Sequence, residues 1–405
     1  MTETKKPRCL VAMSGGVDSS VTAALLQEAG YDCTGVTMKL IDEVDSEQPG
    51  FGVRQAAGQR SCCGLDDVED AKRVCTTLGM RHYTVNYANL FEDTVIRRFV
   101  DTYSSGATPN PCIDCNRYLK FDRLLNWAKQ MNFDCMATGH YARIVFDEMS
   151  GRWRLLRATD IRKDQSYVLY SLTQEQLAFL RLPLGDYSKQ QVREYAAGLG
   201  LSTAQKPESQ DICFVADGDY AGFIRRELVR RDLPAPRPGA IIGPDSQVVG
   251  RHKGVINYTI GQRRGLNVAG GQPLYVRSID AATSTICLAD KEHMAFYGAF
   301  ITDVNLIGGT MPDGGTLDDA DSCLFQHSGD VPETCAGDRH ASHGYDVDVA
   351  YRYQGSLVPA RAFQLSEKCI KIVFARPQPS LSKGQALVMY DSCSVLGGGT
   401  IEETF

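Results

Sequence analysis

The chain predicts an α/β fold in its first half, a doubly wound parallel sheet, followed by a small linker domain and a C-terminal β-barrel. Three observations carry this expectation. Up to about residue 210, short apolar runs alternate with segments of helical period, as in a parallel sheet covered by helices. The texture then changes at Gly200 and breaks again at Pro234, Pro236 and Pro238. From Ala240 onward, short alternating strands separated by glycines dominate, the pattern of β-structure that closes on itself. The expected domains are 1–210, 211–278 and 279–405.

In chain order, a first strand is predicted over 9–13, a helix over 21–28 that stops at Gly30, and a second strand over 35–40. The next unit repeats this logic. Asp66 or Asp67 caps a helix whose apolar face is Val68, Ala71, Cys75 and Leu78; Gly79 ends it, and 83–86 returns as a strand. A strand over 135–138 runs into Gly139-His140-Tyr141, and helices are predicted over 174–180 and 189–199. The stretch 308–344, rich in Gly, Asp and His and without periodicity, reads as a long surface loop.

A length of 405 residues suits two or three domains. With 43% hydrophobic and 23% charged residues, the composition is that of a globular protein and excludes a disordered or fibrous chain. No stretch reads as a membrane span, and the apolar run 9–13 is too brief for a signal peptide, so a cytoplasmic protein is expected. The 14 cysteines are diluted over this length, which favours reduced thiols over a disulfide framework. A net charge of −6 weighs against nucleic-acid binding by the molecule as a whole. Basic residues nevertheless gather at Arg225-Arg226, Arg230-Arg231, Arg251-His252-Lys253 and Arg263-Arg264, enough for one basic face.

The sharpest signal is Ser14-Gly15-Gly16-Val17-Asp18-Ser19-Ser20, between a predicted strand and a predicted helix. Glycines allow a tight turn and close approach to a ligand. The amides opening the next helix point at an anion, helped by the helix dipole. Hydroxyls of Ser14, Ser19 and Ser20 add donors. The segment lacks the Gly-Lys-Ser/Thr ending of kinases and GTPases. A plain glycine turn with Asp18 as helix cap is the competing reading.

This segment resembles the pyrophosphate loop of the ATP pyrophosphatases, which split ATP into AMP and pyrophosphate and so turn a carbonyl oxygen into a leaving group. Two cysteine segments narrow the resemblance. Thr108-Pro109-Asn110-Pro111-Cys112-Ile113-Asp114-Cys115-Asn116-Arg117 stiffens with two prolines before entering a helix, where the dipole favours a Cys115 thiolate. The other is Ser209-Gln210-Asp211-Ile212-Cys213-Phe214. Both are similar to the catalytic cysteine segments of the tRNA-specific 2-thiouridylases. The match extends to Ala137-Thr138-Gly139-His140-Tyr141, Lys163-Asp164-Gln165-Ser166-Tyr167, Tyr258-Thr259-Ile260-Gly261-Gln262 and Leu396-Gly397-Gly398-Gly399, nearly the whole chain.

That resemblance implies an adenine-nucleotide α-hydrolase-like first domain. It also implies that ATP, with Mg2+, is held by Ala12, Met13, Ser14, Gly15, Gly16, Val17, Asp18 and Ser19, bordered by Met38 and Gly139. Asp18 joins Cys115 and Cys213 as a catalytic residue. Cys213 receives sulfur as a persulfide, and Cys115 attacks or protonates it, leaving a disulfide with Cys213 after transfer. Asn110, Pro111 and Cys112 lie at the target base, while His140, Lys163, Asp164, Gln165, Arg352, Tyr353 and Gln385 touch tRNA. The implied partners are tRNAs with a wobble uridine and a persulfide-donating sulfur-relay protein or cysteine desulfurase, with no membrane.

Free cysteine is often only a buried apolar residue, and Cys9, Cys33 and Cys75, in strands and helices, fit that description. Cys115 and Cys213, in polar segments, do not. Many relatives carry Asp where this chain has Cys112. Cys112, Cys115 and Cys213 together offer three thiolates, the ligand set of a 4Fe-4S cluster with one open iron. Cys62-Cys63 is a further pair. Two rivals stand beside the thiolation reading: a small-molecule synthetase of the ATP pyrophosphatase type, needing no Cys213, and a nucleotide-gated iron-sulfur protein that binds RNA without modifying it.

Overall fold

A computed structural model describes residues 5–41, 65–207, 212–215, 218–268, 272–311 and 344–405. Cys62-Cys63 and nearly all of the predicted loop 308–344 lie outside them. The chain forms two compact units. The first is Met1–Ile96 with Pro111–Asp219 and Cys393–Val395; the second is Arg97–Asn110 with Tyr220–Ser392 and Leu396–Phe405.

The first unit is built on strands β1 (Arg8–Ala12), β2 (Asp32–Lys39), β3 (Arg81–Asn86) and β4 (Cys135–Ala137). It also contains an antiparallel ribbon of β5 (Ala142–Asp147) and β6 (Arg152–Arg157), and a short β7 (Leu180–Arg181). The sheet runs β3-β2-β1-β4-β7, and all its pairs are parallel. Helix α1 (Val17–Glu28) follows β1, and α2 (Leu65–Thr77) precedes β3. Val17, Val21 and Leu26 of α1 share one core with Val11, Cys33 and Ala137 of the sheet and Cys75 of α2. Strand order reverses between β1 and β4, and ligands of such sheets bind outside the carboxyl ends of the strands at that reversal.

The second unit has two β parts. Strands β8 (Gly239–Ile242), β9 (Val248–His252), β10 (Tyr275–Asp280) and β11 (Thr285–Ala289) form a sheet in the order β10-β11-β8-β9 around Ile241, Val276, Ile286 and Leu288. Then β12 (Ala295–Leu306), β13 (Tyr345–Ala350), β14 (Val358–Ser366), β15 (Cys369–Pro379), β16 (Ala386–Asp391) and β17 (Ser394–Thr404) pair in the order β12-β15-β14-β13-β16-β17. Pairing of β17 back onto β12 closes a six-stranded antiparallel barrel. Its interior is filled by alternate residues such as Val347 and Val349 of β13 and Leu387 and Met389 of β16.

The expected α/β-then-barrel order is what the structure has, with shifted element boundaries. Helix α1 begins at Val17 rather than 21 because the Ser19 and Ser20 hydroxyls both donate back to the Gly16 carbonyl, at 3.1 and 2.9 Å. The β5-β6 ribbon and the helix Tyr220–Arg230 were not predicted, since arginines interrupt their apolar periods. Among the described residues no helix is long and apolar enough to cross a membrane.

Glycine at 239 is required by packing. A Cβ there would lie 1.6 Å from the Ser284 carbonyl oxygen and 2.7 Å from His252 Nε2, the ring nitrogen hydrogen-bonded to that same oxygen. Gly30, at φ +90°, meets nothing within 4 Å. Gly239→Ala is therefore expected to cost roughly 3 kcal/mol or more, and Gly30→Ala only about 1 kcal/mol of backbone strain. Urea unfolding monitored by fluorescence checks this, and equal midpoints for the two variants would contradict it.

Candidate active site

The turn from β1 into α1 sits at the strand-order reversal. Met13 is buried, its N–H donating to the Val36 carbonyl and its carbonyl accepting from the Thr37 hydroxyl, so the chain stays fixed one residue beyond β1. Ala12 pairs with Val36, and Met38 lies half-buried further along β2. Gly15 turns the chain at φ +69°, where a Cβ would collide with the Asp67 backbone at 2.3 Å. Gly16 caps α1 and offers the helix's opening amides no side-chain hydrogen bond. The Ser14 N–H donates to Ser19 Oγ at 3.2 Å, holding the loop around that end. Gly139, just past β4, approaches so closely that a Cβ would be 2.9 Å from the Ser19 nitrogen. The arrangement gathers backbone N–H groups and hydroxyls at a helix start, the chemistry that suits an anion.

Two lysines complete it, and the sequence had not singled them out. Lys189 Nζ donates to both oxygens of Asp18, at 2.7 and 2.8 Å, and lies 5.7 Å over the Tyr141 ring. The Tyr141 hydroxyl donates to Asp18 Oδ1 at 2.7 Å. Lys206 Nζ donates to the Gly15 carbonyl at 2.9 Å, to Asp67 at 2.7 Å and to Asp70 at 2.6 Å. Burial acts against the Lys206 charge, but the hydrogen bonds and charges of Asp67 and Asp70 outweigh it and hold its pKa above the ordinary value. Both ammonium groups sit, ion-paired, beside the turn. Neither stands in a recognisable motif: Lys189 opens a helix after the Ser188 cap, and Lys206 lies in a polar loop.

The cysteines divide as expected. Cys9, Cys33, Cys75 and Cys135 are buried. Thiol neighbours Cys135 and Cys33, together with burial, push the Cys9 pKa well up, and burial alone raises Cys75 to about 11. Groups so raised remain protonated and inert. Cys112 is exposed, Cys115 and Cys213 are half-exposed, and all three are thiols. Pro111–Asp114 forms the first helical turn, and Cys115 opens the wider π-type helix Cys115–Leu124 that continues it. Such wide turns recur at functional sites because they re-aim side chains. Asn116 anchors the helix: it is buried and donates to the Val168 carbonyl at 3.0 Å. Beside Cys213, Phe214 is buried and packs edge-on against Phe91. Among the described residues no three Cys, His, Asp or Glu side chains are grouped so as to hold a metal ion.

The residues expected to meet RNA are spread over both units. His140 Nδ1 pairs with the Thr138 hydroxyl at 2.7 Å, and burial, reinforced by the charge of Lys120, holds its pKa well below the usual value. Gln165 accepts the Tyr141 N–H, which ties the segment 163–165 to the residue that bonds Asp18. Asp164 is buried, its carboxylate accepting from Arg157, Ser166 and the Ala158 amide; Lys163 is half-buried. In the second unit Arg352 and Tyr353 are exposed just after β13, and Gln385 lies half-buried before β16. Asn110 is the last residue of its segment of that unit, while Pro111 begins the next segment of the first.

Residues 7–217 match a family model described as the tRNA methyl transferase HUP domain. Residues 226–290 match a tRNA methyl transferase PRC-barrel domain, and 334–401 an aminomethyltransferase beta-barrel domain. A tRNA-specific 2-thiouridylase of Clostridioides difficile is 40% identical over 397 residues, covering 98% of each chain. One of Desulforamulus reducens is 42% identical over 401 residues, covering 98% of this chain and 97% of that one. One of Chloroflexus aggregans is 43% identical over 392 residues, covering 97% of each. With its parallel-sheet domain, linker sheet and closed barrel matched in order and nearly end to end, this chain belongs to the tRNA-specific 2-thiouridylase family.

Proposed function

We propose that this tRNA 2-thiouridylase, a tRNA-uridine sulfurtransferase, first uses ATP to adenylate the C2 oxygen of the wobble uridine and then replaces that oxygen with sulfur from a cysteine. The observation that carries the reading is the uncapped start of α1 beside Lys189 and Lys206, with exposed or half-exposed thiols in the same unit. The domains are read as 1–210 for nucleotide and sulfur chemistry, 211–278 as linker and 279–405 as the barrel.

The pyrophosphate part of ATP suits the turn 12–19 because it needs backbone N–H donors and nearby cations, and Met38 and Gly139 border the nucleotide. Magnesium on the phosphates would add charge neutralisation; Asp18, in the first turn of α1, is the residue suited to it. Asp18 also orients Lys189 toward the leaving pyrophosphate. The uracil O2 displaces pyrophosphate from the α-phosphorus, and AMP then serves as leaving group from C2.

Sulfur comes from a persulfide on Cys213, loaded by a sulfur-relay protein or cysteine desulfurase. Its terminal sulfur attacks C2 and expels AMP. The Cys115 thiolate then attacks Cys213 Sγ, which releases 2-thiouridine and leaves a Cys115–Cys213 disulfide for an external thiol to reduce. No step of this route needs an iron-sulfur cluster. Cys112, exposed one helical turn before Cys115, lies with Asn110 and Pro111 at the base. His140 meets RNA as a neutral ring, and Lys163 and Gln165 contact the tRNA directly. Asp164 holds them in place from beneath, and Arg352 and Tyr353 bind tRNA from the second unit. Incubation with unmodified tRNA, ATP, Mg2+ and a persulfide donor should yield 2-thiouridine; a protein that turns over ATP without RNA would point to the small-molecule synthetase instead.

Each half of the reaction can be broken separately. Asp18→Ala is expected to abolish formation of AMP and pyrophosphate without unfolding the chain. Lys206→Met removes a charge-assisted partner of the turn and should raise the KM for ATP about 10- to 100-fold. Release of ADP in step with thiolation would contradict this assignment. For the second half, Cys115→Ser and Cys213→Ser should each cut thiolation on the order of 10³-fold or more, with adenylation retained. Cys75→Ser should affect stability only. Near wild-type thiolation by Cys213→Ser would refute the sulfur path.

A further inference from the structure

We infer that Gln385 is a positioning residue for the cysteine arm, acting through residues 107–110 as well as through any contact with RNA. The inference rests on the reading above, in which Asn110, Pro111 and Cys112 lie at the target base.

The turn between β15 and β16 grips the arm at three points, all within the second unit. The Gln385 side-chain amide donates to the Pro109 carbonyl at 3.2 Å, and the Thr108 N–H donates to the Lys383 carbonyl at 2.8 Å. Gly384, at φ +87°, fits so closely that a Cβ would lie 3.1 Å from Ala107 Cβ, Thr102 Cγ2 and the Thr108 carbonyl oxygen. The turn is itself rigid. Gly384 N–H donates to the Ile401 carbonyl, Ile401 N–H returns to the Gln385 carbonyl, both at 2.8 Å, and Gln385 N–H donates to Ser382.

Proline supplies no N–H, so Pro109 and Pro111 can be fixed through their backbones only by their carbonyls and by packing. Gln385 holds the Pro109 carbonyl, and Pro109 is buried. From Asn110 the chain passes directly into Pro111–Asp114, the turn that carries Cys112 and leads to Cys115. A barrel turn thereby fixes the last residues before the reacting segment, and a pure RNA contact would need none of these bonds.

The test uses the full chain with Gln385→Met, which keeps length and loses the donor, and Gln385→Leu as a second variant of different shape. In RNA-free protein, hydrogen exchange of the peptide over 107–110 should accelerate at least 10-fold while the barrel strands stay protected. The single-turnover rate of 2-thiouridine formation at saturating tRNA should fall about 10-fold, a loss that saturation with tRNA does not restore whatever the change in Kd. Unchanged exchange over 107–110, or a raised Kd with an unaltered saturating rate, would overturn the inference. Loss of protection throughout the barrel in both variants would overturn it too, since the turn would then be serving the barrel and not the arm. Failure of the underlying reading shows separately, as Cys115→Ser or Cys213→Ser protein that still thiolates.

Discussion

The site depends on one constraint, the close packing of Gly15 on the backbone of Asp67. With a Cβ excluded at 2.3 Å and φ at +69°, only glycine lets β1 turn there into α1. That turn leaves the start of α1 without a side-chain cap. It also aims the Gly15 carbonyl at Lys206, whose ammonium bridges Asp67 and Asp70. One packing contact thus fixes the loop, opens the helix end and places a cation beside it. The parallel sheet contributes the location, since the turn leaves β1 where strand order reverses and Gly139 arrives from β4 on the other side.

The electrostatics share this logic. Lys189 and Lys206 are each paired with carboxylates: Asp18 for one, Asp67 and Asp70 for the other. Buried charge without partners would be costly, so the acids hold the cations in place beside the turn. Tyr141 links this network to Gln165, tying the turn after β1 to the segment proposed to meet RNA.

What the sequence made legible was local. Ser14-Gly15-Gly16 announced a strand-to-helix turn, and prolines around Asn110 announced a stiff arm entering a helix, because both signals rest on backbone geometry that few residues satisfy. Cys9, Cys33 and Cys75 read correctly as core from their positions in strands and helices. Lys189 and Lys206 were not legible, since their role comes from distant residues meeting in space: Lys206 reaches Asp67, 139 positions away, and Lys189 reaches Asp18, 171 away. The hold of Gln385 on Pro109 spans 276 positions and was equally invisible. The setting of Asp164 was hidden for another reason. It lies among polar neighbours, yet its side chain is buried and bonded within the protein.

The central claim is that the uridine oxygen itself is activated and leaves with AMP. The most direct measurement supplies tRNA labelled with 18O at C2 of the wobble uridine and analyses the AMP released during thiolation by mass spectrometry. The account predicts one 18O in AMP for each 2-thiouridine formed. Unlabelled AMP accompanying thiolation, with the label appearing in water or in another product, would contradict it.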